Sequence, residues 1–182
     1  MKRKKAIRKA PAKKAPVKKA AAKKAVRPIP AGYHAVTPYL SIRGAAQAID
    51  FYKKAFGAKE IMRIDGPEGK LGHCEIQIGD SRVMLADEYE SMQFLGPQSR
   101  GGTTVQIHLY VPDVDATVAR AAAAGGRVIR PVEDQFYGDR AGAIEDPFGH
   151  RWHIATHKEE VSIAEAKRRA AKLGKHADSS NA

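Results

Sequence analysis

The sequence predicts a mixed α+β domain: two βαβββ modules forming curved mixed sheets around a concave cavity, preceded by a disordered basic tail. Three observations predict it. Between residues 34 and 157, short β-rich runs alternate with two stretches of helical apolar spacing. The order strand, helix, three strands occurs twice, which marks an internal repeat. The basic residues are also segregated. The first thirty positions hold thirteen Lys or Arg and no acid, so the formal charge of +12 on 182 residues falls to −1 without them.

Residues 1–32 form the tail. Pro11, Pro16, Pro28 and Pro30 interrupt any helix, and the like charges repel one another. The repeated "AKKA" is similar to the tails of linker-histone-like proteins. Lys4, Lys5, Lys13, Lys14, Lys18, Lys19, Lys23 and Lys24 are the candidate contacts to nucleic acid or another polyanion, bound by counterion release without base readout. A merely solubilising tail is the competing reading.

In the first module (about 34–90), "HAVTPYLSI" (34–42) reads as a strand. In "AAQAIDFYKKAF" (45–56), Ala45, Ala48, Ile49, Tyr52 and Phe56 fall on one helical face, and Gly57 ends the helix. "AKEIMRI" (58–64) is a strand, and 72–87 is a hairpin turning at Gly79-Asp80. The second module (about 103–157) repeats this order. It has a strand at 103–111, a helix over 113–126 stopped by Gly125-Gly126, a strand at 127–132 and a hairpin at 138–156 turning on "DPFG". Residues 161–182 hold a terminal helix with "SIAE" (162–165) as a capping box. Each helix is expected outside its sheet.

Composition excludes several classes. Cys74 is the single cysteine, which rules out an intrachain disulfide framework and fits a reducing compartment. By strand alternation it faces the helix and is buried and inert. There is no apolar run of membrane-spanning length, and no apolar stretch follows the tail as in a secretory signal. A cytoplasmic protein is expected, nucleoid-associated if the tail binds DNA. No Ser-His-Asp order, phosphate loop or dinucleotide fingerprint is present.

"VTPYLSIRGAAQAIDFYKKAFGAKEI", "IGDSRVMLADE", "VQIHLYVPDVDATVARAAAAGG" and "PVEDQFYGDRAGAIEDPFGHRWHIATH" resemble the vicinal oxygen chelate superfamily over residues 33–160. This is the glyoxalase, bleomycin-resistance and extradiol-dioxygenase group, and the likeness is strongest to its PhnB-like branch. The resemblance implies paired βαβββ modules, often dimeric, each sheet bordering a ligand cavity. It does not imply one reaction, because members range from metal-dependent isomerases to metal-free drug-binding proteins.

Carried onto this chain, the family's four metal positions fall on Thr37, Leu85 (with Asp87 next on that face), Gln106 and His153. Only His153 is a good ligand and Gln106 a weak one, so the pattern departs from the family where metal chemistry would sit. A divalent metal is expected only at a shifted site, with His153, Gln106 and Glu75 as the weak candidates. Alternation places Thr37, Tyr39, His73, Glu75, Asp87, His108, Tyr110 and His153 around the cavity. His153 and His157, about 13 Å apart along a strand, cannot share one metal, and of this group only His153 is expected to reach the cavity.

In the fold implied, "DQFYGDR" (134–140) lies at the cavity mouth, where Tyr137 closes over a ligand and Arg140 pairs either with a substrate anion or with Asp134 or Asp139. The expected function is binding of a small polar or anionic molecule. If it is catalytic, a lyase or isomerase reaction is expected. His108 or His153 would then be the general acid/base, with Glu75 sharing the proton. Thr37, Tyr39, His73, Asp87, Gln106, Tyr110, Tyr137 and Arg140 would hold the substrate. A non-catalytic drug- or metabolite-binding protein is the alternative, and a nucleic-acid-associated accessory protein the third. A homodimer is expected.

Overall fold

The protein, as a computed structural model, is described for residues 26–179. The tail lysines from Lys4 to Lys24 lie outside the described residues. The first module runs β1 (Tyr39–Ile42), α1 (Ala45–Phe56), β2 (Lys59–Asp65), β3 (Leu71–Ile78) and β4 (Ser81–Asp87). A connecting segment carries the short helix α2 (Pro97–Arg100). The second module follows as β5 (Gln106–Tyr110), α3 (Val114–Ala123), β6 (Arg127–Asp134), β7 (Asp139–Glu145) and β8 (Arg151–His157), and then α4 (Ile163–Ser179). The repeat is therefore real. Two mixed four-stranded sheets result, ordered β1-β4-β3-β2 and β5-β8-β7-β6, each with one parallel pair.

Boundaries differ from expectation for local reasons. β1 begins at Tyr39 rather than at 34, because Pro38 has no N–H to give the ladder; its carbonyl still accepts from Met84 N at 2.9 Å. β5 begins at Gln106 because the Thr103 hydroxyl takes the Val105 N–H in a local turn. Asp113 caps α3 by accepting from Ala116 N at 2.9 Å. At α4 the Ser162 hydroxyl accepts from Glu165 N at 3.2 Å, while the Glu165 carboxylate turns to Arg168 and Arg169 instead of closing the box.

Alternation gives each sheet one face under its helix and one open face. Leu40, Ile42, Cys74, Ile76, Leu85, Trp152 and Ile154 all point to the helix side and are buried in one cluster. α1 and α3 pack on each other as well as on their own sheets, so the helices join the modules rather than standing apart on two outer surfaces. The joint is aromatic. The ring of Tyr52 lies 5.3 Å and that of Phe56 4.7 Å from Trp152. The buried polar tips of Tyr52 and Trp152 both donate to Asp146 Oδ2, at 2.8 and 3.0 Å. Asp146 Oδ1 takes the N–H groups of Phe148 and His150, which fixes the turn "DPFG". Burial pushes the Cys74 thiol up to about 11, so it is inert as expected.

Candidate functional site

A cleft of about 910 Å³ separates the neighbouring edges β1 and β5. Tyr39 lines one wall, Gln106 and His108 the other, and the segment from Gln93 to Thr104 closes one side. Gly96 sets that segment down. A Cβ on it would collide with the Ser41 carbonyl, so only glycine permits the approach. This places the exposed guanidinium of Arg100 in the cleft, bonded only to the Gln93 carbonyl at 3.3 Å. Among the described residues no carboxylate pairs with Arg100. Phe94, Leu95, Pro97 and Val105 give the cleft apolar walls.

Polar residues of the first open face converge beside this cleft. Tyr39 Oη lies 2.9 Å from His73 Nδ1, and His73 Nε2 lies 3.6 Å from Glu75 Oε1. Arg82 donates to Glu75 Oε2 at 2.7 Å and covers the Tyr33 ring at 4.4 Å. Burial alone would raise the Glu75 pKa. Tyr33, Arg82 and His73 together outweigh it, so the group ends below the usual carboxylate range and stays ionised.

The second open face carries a different set. His108 and His153, directly opposite on β5 and β8, stack with ring centres 4.7 Å apart. Arg130 Nη2 meets His153 Nδ1. A guanidinium can only donate, so Nδ1 accepts and the neutral ring carries its proton on Nε2. Burial, then the charge of Arg130 and then His108, push the His153 pKa down, which keeps the ring neutral. Farther along the face, buried Asp139 accepts from Tyr110 Oη at 2.9 Å and bonds His157 Nδ1 at 2.7 Å. His157 therefore shares the open face with His153 but belongs to another group.

Several expected positions move. Thr37 sits before β1 with its hydroxyl on the His34 carbonyl. Leu85 pairs with Leu40 and Cys74 on the helix side, leaving Arg82 and Met84 on the open face of β4. Asp87 has the same parity as Leu85. Its Oδ1 accepts the N–H groups of Gly44 and Ala45, and its Oδ2 accepts Leu71 N at 2.6 Å, so it anchors the start of α1 instead of lining the cavity. Arg140 also points to the helix side, pairing Asp115 at 2.7 Å and Asp134 at 3.2 Å. The loop bearing Tyr137 is braced by the C-terminal segment: Arg169 donates to the Phe136 carbonyl, and Gly138 packs against the Glu159 carbonyl so closely that a Cβ would collide. One cavity therefore does not collect all the expected residues within the chain. The cleft takes Tyr39, Gln106 and His108, with His73 and Glu75 behind one wall and His153 behind the other.

Residues 34–154 match the family description Glyoxalase/Bleomycin resistance protein/Dioxygenase superfamily. The chain belongs to this superfamily. An uncharacterized protein of Mycobacterium bovis is 47% identical over 134 residues, spanning 72% of this chain and 88% of that one. TioX from Micromonospora sp. ML1 superposes with a TM-score of 0.54 at 26% identity, over 66% of this chain and 96% of that one. The PhnB protein from Bacillus cereus superposes with a TM-score of 0.54 at 17% identity, over 68% of this chain and 99% of that one, a likeness of fold alone.

Superfamily membership raises the question of a divalent metal, and the described residues of one chain do not fit one. Among the described residues no three His, Cys, Asp or Glu side chains converge on a common point. Glu75 is taken by Arg82, and His153 Nδ1 by Arg130, whose charge opposes a second cation there. Arg82, Arg100 and Arg130 were not picked out from the sequence. Arg82 carried a signal in the hairpin parity it shares with Glu75; Arg130, beside a register shift, and Arg100 carried none.

Proposed function

We propose that this is a PhnB-like member of the superfamily whose β1–β5 cleft binds a small molecule with an anionic group on a partly apolar body. The observation that carries this reading is Arg100, a guanidinium without a carboxylate partner among the described residues, in a cleft whose opposite walls present a phenol, an amide and an imidazole. Such a fork suits a carboxylate or phosphonate. Arg130 and the neutral Nε2–H of His153 add donors behind the His108 wall. The test is calorimetric titration with oxalate, pyruvate and methylphosphonate. Affinity in the millimolar range or better, weakened about tenfold or more in Arg100→Ala, is expected. Equal affinity in the variant overturns the assignment.

A homodimer is part of the same reading. Met62, Ile64 and Tyr110 are exposed apolar groups of the open faces, and a second copy would cover them. Analytical ultracentrifugation showing a monomer at micromolar concentration removes this part.

A further inference from the structure

Tyr39 ends a line of polar groups that anion binding alone does not require. The direction of that line follows from the donor inventory. His73 Nε2 faces the ionised Glu75 carboxylate at 3.6 Å, beyond hydrogen-bond length, so the relay takes the ring with its proton on Nε2. Nδ1 is then the acceptor for the Tyr39 hydroxyl, 2.9 Å away. Behind the imidazole, Glu75 is only 5% exposed and held by Arg82 at 2.7 Å, so the carboxylate cannot swing away. In front, Tyr39 is 47% exposed and borders the cleft. The gap of 3.6 Å from His73 to Glu75 is too long for a strong bond to a neutral ring. It shortens usefully only when the ring gains a proton.

We propose that Tyr39, His73 and Glu75 form a proton relay, with Tyr39 as the catalytic acid/base and His73 and Glu75 as positioning residues behind it. This rests on the cleft being the ligand site. The substrate class is a small carboxylate or phosphonate with a carbonyl next to a C–H. The C–H proton passes to the Tyr39 oxygen while the phenolic proton passes to His73 Nδ1. The C–H electron pair moves into the carbonyl as an enolate, whose oxygen is met by the Gln106 amide and Arg100 on the other side of the cleft. Glu75 compensates the imidazolium. Return of a proton to the same or the neighbouring carbon reverses both transfers, so the result is exchange or isomerisation and no co-reactant is consumed.

Two measurements on the full chain test it. ¹⁵N NMR of the histidine rings reports the tautomer: neutral His73 is expected as Nε2–H, with its Nδ1 resonance shifting in Tyr39→Phe. An Nδ1–H tautomer reverses the direction of the relay and overturns the proposal. In D₂O, pyruvate and 2-oxobutyrate are expected to take up deuterium at C3 above the buffer rate. Tyr39→Phe and His73→Gln should lose about 100-fold of this, and His73→Gln, behind the wall, should still bind oxalate within about threefold of the wild type. Bound pyruvate that does not exchange overturns the relay. Failure of oxalate and pyruvate to bind overturns the cleft reading, and the relay that rests on it falls with it.

Discussion

The two modules share one topology, yet the polar groups at the centres of their open faces are paired differently. On the first, Arg82 stands against Glu75, and His73 lies between that carboxylate and a phenol. On the second, Arg130 meets a neutral imidazole and a second imidazole is stacked on it, with no carboxylate on Arg130 among the described residues. The first arrangement neutralises its carboxylate within the protein, with Arg82 Nε left without an acceptor among the described residues. The second leaves donors free, which suits a ligand that brings its own negative charge. A repeated fold thus supplies two sheets, and the side chains on their strands decide which one pairs its arginine with a carboxylate.

The largest expected effect strikes the frame both faces share. Asp146→Ala strips one acceptor group from Tyr52, Trp152, Phe148 N and His150 N at once. Chemical denaturation should show a loss of about 3 kcal/mol or more, with both faces disrupted together. A loss below about 1 kcal/mol would mean that the modules hold their relative place without this carboxylate.

Next comes the contrast itself. Glu75→Ala should cost about 2 kcal/mol, because it removes a buried acceptor and leaves Arg82 against the sheet without its carboxylate. Arg130→Ala should change stability by less than about 0.5 kcal/mol and weaken anion binding severalfold. If both variants behave alike in denaturation, the two faces are not energetically distinct.

The pH dependence should separate the faces too. The Glu75 pKa is depressed in the fold, so the protons it takes up at low pH are bound more readily by the unfolded chain. Its contribution is present above the unfolded carboxylate pKa and lost as pH falls through the lower folded value. Glu75→Gln should therefore flatten the acid side of a Tm-against-pH curve, where the wild type falls. An unchanged slope would assign the acid sensitivity to other carboxylates. The smallest effect concerns Arg140. Since it faces Asp115 and Asp134 on the helix side, Arg140→Ala should leave anion affinity within about twofold. A tenfold loss in titration would return it to the site.

Much of the fold is legible because strand and helix periods are local. Cys74 is assigned to the helix side by alternation, and it is buried there. The pairing of His108 with His153 is less visible, since it needs the register of two strands over forty residues apart. Asp87 shows how parity fails. Counting the family position onto Leu85 puts the wrong face of β4 toward the ligand, whereas the observed pairing of Leu85 with Leu40 and Cys74 reverses it. Arg130 lies between two register shifts of β6, which break the count along that strand. Arg100 gives no local sign at all, because its place depends on Gly96 lying against the Ser41 carbonyl.

The sequence by itself determined the two βαβββ units, the segregation of the basic tail and the side of each sheet that its apolar residues bury, because these follow from neighbours within a few positions. Only the tertiary structure decided that the helices pack on each other and that Tyr39 and His108 border one cleft. It alone matched each arginine with its partner or left it without one. Such placements depend on register, bulges and the close approach of separate segments. Those are set by the packing of the whole chain, which a local period cannot report.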